Sequence, residues 1–165
     1  MKHSINIALI EPEIPPNTGN IARFCAACGF HLDLVGPLGF SLDEKHLKRA
    51  GMDYWQQLDH TVWDSRENYF EYLLKEQRRF FLLTTKTDKS YCDVVYQPGD
   101  TLIFGRETKG LPESLLHEFP DQCLTIPMSN PHARSLNLAT SAAIVAFEAK
   151  RQLSQPQNIH PDAIL

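Results

Sequence analysis

Three stretches of this chain set polar side chains among glycines and prolines in a way that suits a ligand site. Phe104-Gly-Arg-Glu-Thr-Lys-Gly-Leu-Pro112 follows the apolar run Thr101 to Phe104 with no spacer, so a buried strand should end directly in a charged loop. There Gly105 and Gly110 allow positive φ or close backbone approach to a ligand, and Pro112 suits the first turn of a helix running to His117. Glu11-Pro-Glu-Ile-Pro-Pro-Asn-Thr-Gly-Asn-Ile-Ala-Arg23 follows a second strand. Its prolines hold the backbone open, Asn17 or Thr18 can cap a helix, and Asn20 and Arg23 fall one turn apart on one helix face. Ile126-Pro-Met-Ser-Asn-Pro-His-Ala-Arg-Ser-Leu-Asn-Leu138 is a proline-broken loop in which Ser135 is a good cap for a last helix.

Common chemistries do not match these spacings. Neither a Gly-x-Gly-x-x-Gly dinucleotide fingerprint nor a Gly-x-x-x-x-Gly-Lys phosphate loop is present, which disfavours a conventional nucleotide-phosphate site. Ser135 could serve as a hydrolytic nucleophile with His132 as base, but no Gly-x-Ser-x-Gly elbow surrounds it and a capping hydroxyl is already engaged. Cys25 and Cys28 have Cys-x-x-Cys spacing inside a helical pattern, without a second ligand pair at metal-binding distance. They and the other two cysteines, Cys92 and Cys123, are expected to be small buried apolar residues, and no metal is expected.

The elements that must position the three loops alternate along the chain. Short runs rich in β-formers occur at Ile5 to Ile10, Leu32 to Val35, Phe80 to Thr84, Thr101 to Phe104 and Cys123 to Ile126, with a weaker one near His60 to Trp63. Helical spacing fills the intervals at Gly19 to Cys28, Asp43 to Ala50, Ser65 to Gln77, Pro112 to Phe119 and Asn137 to about Leu153. Strands apolar on both faces, alternating with helices, predict an α/β fold with a mostly parallel sheet covered on both sides. All three loops would then leave the same carboxyl edge, where open α/β sheets bind ligands. The last helix is rich in alanine, which lets it approach another backbone closely, in the fold or in a second subunit.

At 165 residues, 42% hydrophobic and 22% charged, the chain suits one globular domain, expected over 1–153 with a polar C-terminal tail at 154–165. No run approaches a membrane span, and Met1 to Asn6 leads directly into a strand pattern rather than a signal peptide, so no membrane association and a cytoplasmic location are expected. A formal net charge of −4 opposes nonspecific coating of nucleic acid and leaves room for a local basic patch.

Taken jointly, Asn17-x-Gly-Asn-x-x-Arg23, Phe104-Gly-x-Glu-x-x-Gly-Leu-Pro112, and Ile126-Pro-Met with Arg134-Ser-Leu-Asn-Leu138 resemble the three motifs of the SPOUT superfamily of methyltransferases. Within it, the chain is most similar to the small bacterial tRNA 2′-O-methyltransferases that act on the wobble nucleotide. The similarity runs from the first strand to about Gln152. It implies a parallel α/β domain whose C-terminal part is a deep trefoil knot, with S-adenosyl-L-methionine as cofactor and tRNA as substrate of a homodimer. By position, it assigns cofactor contacts to Leu83, Gly105, Ile126 and Ser135, with Met128, Leu136 and Asn137 close by.

The same resemblance assigns Arg23 to the reacting hydroxyl. A guanidinium is always protonated, which suits it to steadying the developing alkoxide or holding the adjacent phosphate rather than to acting as a base. Asn17 and Glu107 would position the loops, and Ser135 would orient cofactor or substrate. Phosphate contacts are expected from Arg106, Lys109, Arg134 and Lys86, with Lys45, Lys48, Arg49 and Lys89 as further candidates. Two departures stand out: the loop Ser129 to Ala133 is one residue longer than in similar proteins, and Phe147 stands where tyrosine is frequent. The open alternatives are a 2′-O-methyltransferase of another tRNA or rRNA ribose, and a non-catalytic RNA-binding scaffold. Intact Arg23, Glu107 and Ser135 weigh against the scaffold.

Overall fold

The computed structural model describes residues 4–43, 45 and 55–154. Most of the helix expected over Asp43 to Ala50, with Lys48 and Arg49, and the tail beyond Ser154 lie outside the described residues. Six parallel strands form one sheet in the order β3-β2-β1-β5-β4-β6: β1 Ile5–Ile10, β2 His31–Val35, β3 His60–Trp63, β4 Phe80–Leu83, β5 Asp100–Phe104 and β6 Cys123–Leu124. The helices are α1 Pro15–Cys28, α2 Arg66–Lys75, α3 Glu113–Glu118 and α4 Leu138–Leu153.

Alternation along the strands divides the core in two. Ile5, Ile7 and Leu9 of β1 face Ile21 and Cys25 of α1 and Ala142, Val145, Ala146 and Ala149 of α4, whereas Ala8 and Ile10 face Tyr69 and Leu73 of α2 and Leu115 and Leu116 of α3. Every residue of β1 and β5 is buried, as central parallel strands covered on both faces require. The alanine stripe of α4 lets it lie close against β1, β5 and α1. Burial of the four cysteines is uneven: Cys25 and Cys123 are buried, Cys28 is partly so, and Cys92 is exposed, contrary to expectation; all four are free thiols.

Several boundaries differ from the sequence expectation for local reasons. α1 begins at Pro15, four residues before Gly19, because Pro15 and Pro16 bring the φ of a first turn and lack the N–H groups that such a turn leaves unpaired. Its N-cap position is therefore Ile14 and not Asn17 or Thr18, and no local side chain caps it. α4 is capped by Asn137, whose side chain accepts from the N–H groups of Ala139 (2.9 Å) and Thr140 (3.2 Å), so Ser135 is not its cap. β6 stops at Leu124, two residues short, and Thr125 makes only an isolated bridge to Ser90. α2 also stops short of Gln77, which turns the chain at φ 50°.

A buried polar network stabilises the far side of the sheet. Asp33 of β2 accepts from Trp63 Nε1 (2.8 Å) and Tyr69 Oη (3.1 Å), and His31 lies 3.3 Å from both Asp33 and Asp59. The hydrogen bond to Asp33, opposed by partial burial and helped by Asp59, raises the His31 pKa above its ordinary 6.5.

Candidate functional site

After β1 the chain moves to β2, while after β5 it moves past β4 to β6, so the two central strands diverge at their carboxyl ends. Such a switch point opens a crevice between the departing loops. The loop from Glu11 to Pro16 rises on one side of it and the loop from Gly105 to Pro112 on the other, leading to α1 and α3 on opposite faces.

These loops hold each other through carboxylates. Glu107 accepts the main-chain N–H groups of Glu13 (2.8 Å) and Ile14 (3.0 Å), capping the start of α1 from ninety-odd residues away. Glu13 in return accepts the N–H (3.1 Å) and the hydroxyl (2.8 Å) of Thr108. Arg106 pairs with Glu11, whose φ of 51° places a non-glycine residue in the left-handed region directly after β1. A conformation of that kind persists where its surroundings over-determine it, here through the Arg106 pair and the Glu11 N–H on Val35 C=O at 2.7 Å.

Asn17 joins the third loop to the other two. Its Nδ2 donates to Glu107 Oε1 (3.3 Å), and its Oδ1 accepts from Asn137 Nδ2 (2.9 Å), the residue that caps α4. One buried amide thus ties the starts of α1 and α4 to the β5 loop.

Within this frame lies a cavity of about 480 Å³, in the size range of cofactor sites. Leu83, Gly105, Ile126, Met128, Ser135, Leu136 and Asn137 all line it, as do Asn17, Glu107, Lys86, Arg106, Lys109 and Arg134. Sequence reasoning missed Thr84, Thr85, Thr125 and Ser141, hydroxyl residues of the same wall. Threonine and serine at strand ends and helix starts carry no local signal that separates a pocket lining from a surface.

Gly105 answers to the loop itself. A Cβ there would sit 2.1 Å from the carbonyl carbon of Gly110 and 2.3 Å from Leu111 N, because Arg106 and Gly110 exchange N–H···O bonds of 2.8 and 3.2 Å that fold the loop back on its base. Gly105 also lines the cavity, so its missing side chain serves close backbone approach within the loop at the wall of the site. Gly110 does use positive φ, at 65°.

Arg23 is not brought into the cavity. It is exposed on α1, six residues beyond Asn17 and so about 9 Å further along the helix axis. Among the cations of the rim, Arg106 is countered by Glu11 and Lys86 by Glu113, while Lys109 and Arg134 have no ion-pair partner among the described residues. Lys89 donates to the main-chain carbonyl of Asp121. Among the described residues no group of three His, Cys, Asp or Glu could hold a metal ion, and no helix is long and apolar enough to cross a membrane.

Residues 4–147 match the model of the SpoU rRNA Methylase family. A relative in Escherichia coli K12, a tRNA (cytidine(34)-2′-O)-methyltransferase, is 47% identical over 154 residues that cover 92% of this chain and 96% of the relative. A solved structure described as giving insight into the 2-OH methylation of C/U34 on tRNA superimposes with a TM-score of 0.84 at 43% identity, over 93% of this chain and 98% of that one. A SpoU methyltransferase of Streptomyces viridochromogenes in complex with AdoMet shares the fold, with a TM-score of 0.76 at 22% identity over 93% of this chain and 62% of that one.

Proposed function

Because the chain belongs to the SpoU methylase family, we propose that the cavity at the β1/β5 switch point is its methyl-donor site and that the enzyme methylates the ribose 2′-hydroxyl of nucleotide 34, cytidine or uridine, of tRNA. The observation that carries the assignment is the meeting of three separate loops on one apolar-walled cavity, in a chain alike over nearly its full length to an enzyme of that activity.

The wall chemistry fits S-adenosylmethionine. Leu83, Ile126, Met128 and Leu136 offer apolar surface for an adenine ring, and hydroxyls of Thr84, Thr125 and Ser135 lie among them. Glu107, the carboxylate of the wall, is turned to the N–H groups of Glu13 and Ile14 just ahead of α1. When bound, the cofactor supplies an electrophilic methyl group on a sulfonium. The chain's own residues then have to align the ribose oxygen with that methyl and ease loss of its proton. Ser135, released from capping, is exposed on the cavity wall and orients cofactor or ribose through its hydroxyl. Arg23 acts from outside the donor cavity, as a fixed cation for the developing alkoxide or the adjoining phosphate. Asn17 and Glu107 work through the loops they hold.

Lys109, Arg134 and Lys86 supply phosphate contacts at the rim, with Arg106 contributing less because Glu11 already counters it. The active form is a homodimer in the cytoplasm: Phe147 of α4 is 48% exposed and packs on Phe24 of α1, next to Arg23, a face suited to a second copy. The C-terminal part is a trefoil knot. Supporting this, β6 lies outside β4 while α4 returns to β1 and β5, so the chain between them runs back along the sheet edge from which the loops after β4 and β5 leave.

The decisive experiment compares nucleoside mass spectra of tRNA from cells with and without the gene. Loss of 2′-O-methylation at position 34 is the expected result, and an unchanged position 34 would remove this substrate.

A further inference from the structure

Two of the cavity's cations carry carboxylate partners of different kinds. Glu11 is only 13% exposed in its side chain, follows a strand in a left-handed backbone conformation, and holds Arg106 as part of the wall. Lys86 and Glu113 instead meet at the surface, with side chains 54% and 68% exposed, Lys86 on the loop after β4 and Glu113 in the first turn of α3. An exposed pair of this kind contributes little to stability, so opening it costs little. Among the described residues the only hydrogen bond of either side chain is the one they share.

Resting on the tRNA 2′-O-methyltransferase assignment, we propose that Glu113 is an exchangeable counter-ion, which Lys86 trades for a backbone phosphate of tRNA when RNA docks at the cavity rim. Glu113 therefore limits the affinity of the rim for RNA.

The exchange has a thermodynamic signature. A cation that binds a phosphate releases a condensed counter-ion from the RNA, adding about 0.7 to 0.9 to the slope of log K against log salt. Where the same lysine must first leave a carboxylate, that carboxylate takes up a cation and the two changes oppose each other. Removing Glu113 leaves only the release.

The test measures tRNA binding by fluorescence anisotropy between 50 and 200 mM salt, a range on the order of that in which phosphate contacts dominate. The proteins are the wild type, Glu113→Gln, Lys86→Ala and the double variant, each checked for an unchanged thermal transition. Expected are several-fold tighter binding and a slope steeper by about 0.7 to 0.9 for Glu113→Gln, weaker binding for Lys86→Ala, and a double variant equal to Lys86→Ala. Wild-type affinity and slope in Glu113→Gln would overturn the exchange, as would a double variant that gains as much over Lys86→Ala as Glu113→Gln gains over wild type. Those outcomes leave the enzyme assignment intact when the wild-type protein methylates tRNA. A wild-type protein that modifies no tRNA overturns both.

Discussion

Glu13 and Glu107 cap each other's loops: Glu107 Oε2 accepts the N–H of Glu13 at 2.8 Å, and Glu13 Oε2 accepts the N–H of Thr108 at 3.1 Å. This reciprocal pair ties together the loops on either side of the β1/β5 crevice, where α1 starts without a side-chain cap of its own.

Replacing Glu107 by Ala removes the distal cap of α1. A lost cap costs about 0.5 to 2 kcal/mol, and hydrogen bonds to a charged group about 1.5 to 3 kcal/mol, so a destabilisation of about 2 kcal/mol is expected from urea unfolding. Glu107→Gln, which keeps one oxygen acceptor for the Glu13 and Ile14 N–H groups, should recover part of it. Cofactor affinity should fall in the same order, Ala below Gln below Glu, in calorimetric titration.

Gly105→Ala and Gly110→Ala separate two reasons for a glycine. At 105 the new methyl meets backbone at 2.1 Å, so the loop has to open and the cavity wall with it. At 110 the methyl meets nothing within 4 Å and the cost is that of φ 65°, about 1 to 2 kcal/mol. Both variants should melt lower, but S-adenosylmethionine binding should be abolished only in Gly105→Ala. Equal cofactor affinity in the two would contradict this division.

Arg23→Ala should bind cofactor with wild-type affinity, since Arg23 lies outside the cavity lining, and lose methyl transfer by a factor on the order of 10²–10³. Calorimetry with S-adenosylmethionine and single-turnover methylation of tRNA read the two effects separately. Wild-type turnover would remove Arg23 from the chemistry.

His31 makes stability depend on pH. Its pKa in the folded protein is raised above 6.5, principally by Asp33. The sign follows: protonated His31 stabilises the fold fully below the unfolded value near 6.5, and this contribution disappears as pH rises through the raised folded value. Replacing His31 by Gln should therefore destabilise the protein more at pH 5.5 than at pH 9, values about a unit or more to either side of a histidine's ordinary range, as measured by urea midpoints. A difference independent of pH would mean that the charge on His31 is not used.

The order of strands and helices was legible because parallel strands buried on both faces must be continuous apolar runs, as Ile5 to Ile10 and Thr101 to Phe104 are. Helix starts were less legible. Asn17 and Ser135 are good caps by type, yet other residues take both places: Glu107, ninety-odd residues away, reaches the start of α1, and Asn137, two residues beyond Ser135, caps α4 while also holding Asn17. The cavity residues were reached through the family resemblance that three motifs jointly carry, with Leu83 outside the motifs placed by position, and local periodicity cannot join them.

The chain by itself determined its α/β class, the three loops at the sheet edge and its likeness to RNA 2′-O-methyltransferases, since hydrophobic period and motif spacing are local properties. Only the tertiary structure decided how the loops are held. Glu13 with Thr108 and Asn17 with Asn137 are separated by 95 and 120 residues, and meet because β5 inserts beside β1 and α4 returns across both. Hydrogen bonds act over about 3 Å whatever the distance along the chain, and no pattern in the sequence measures that proximity.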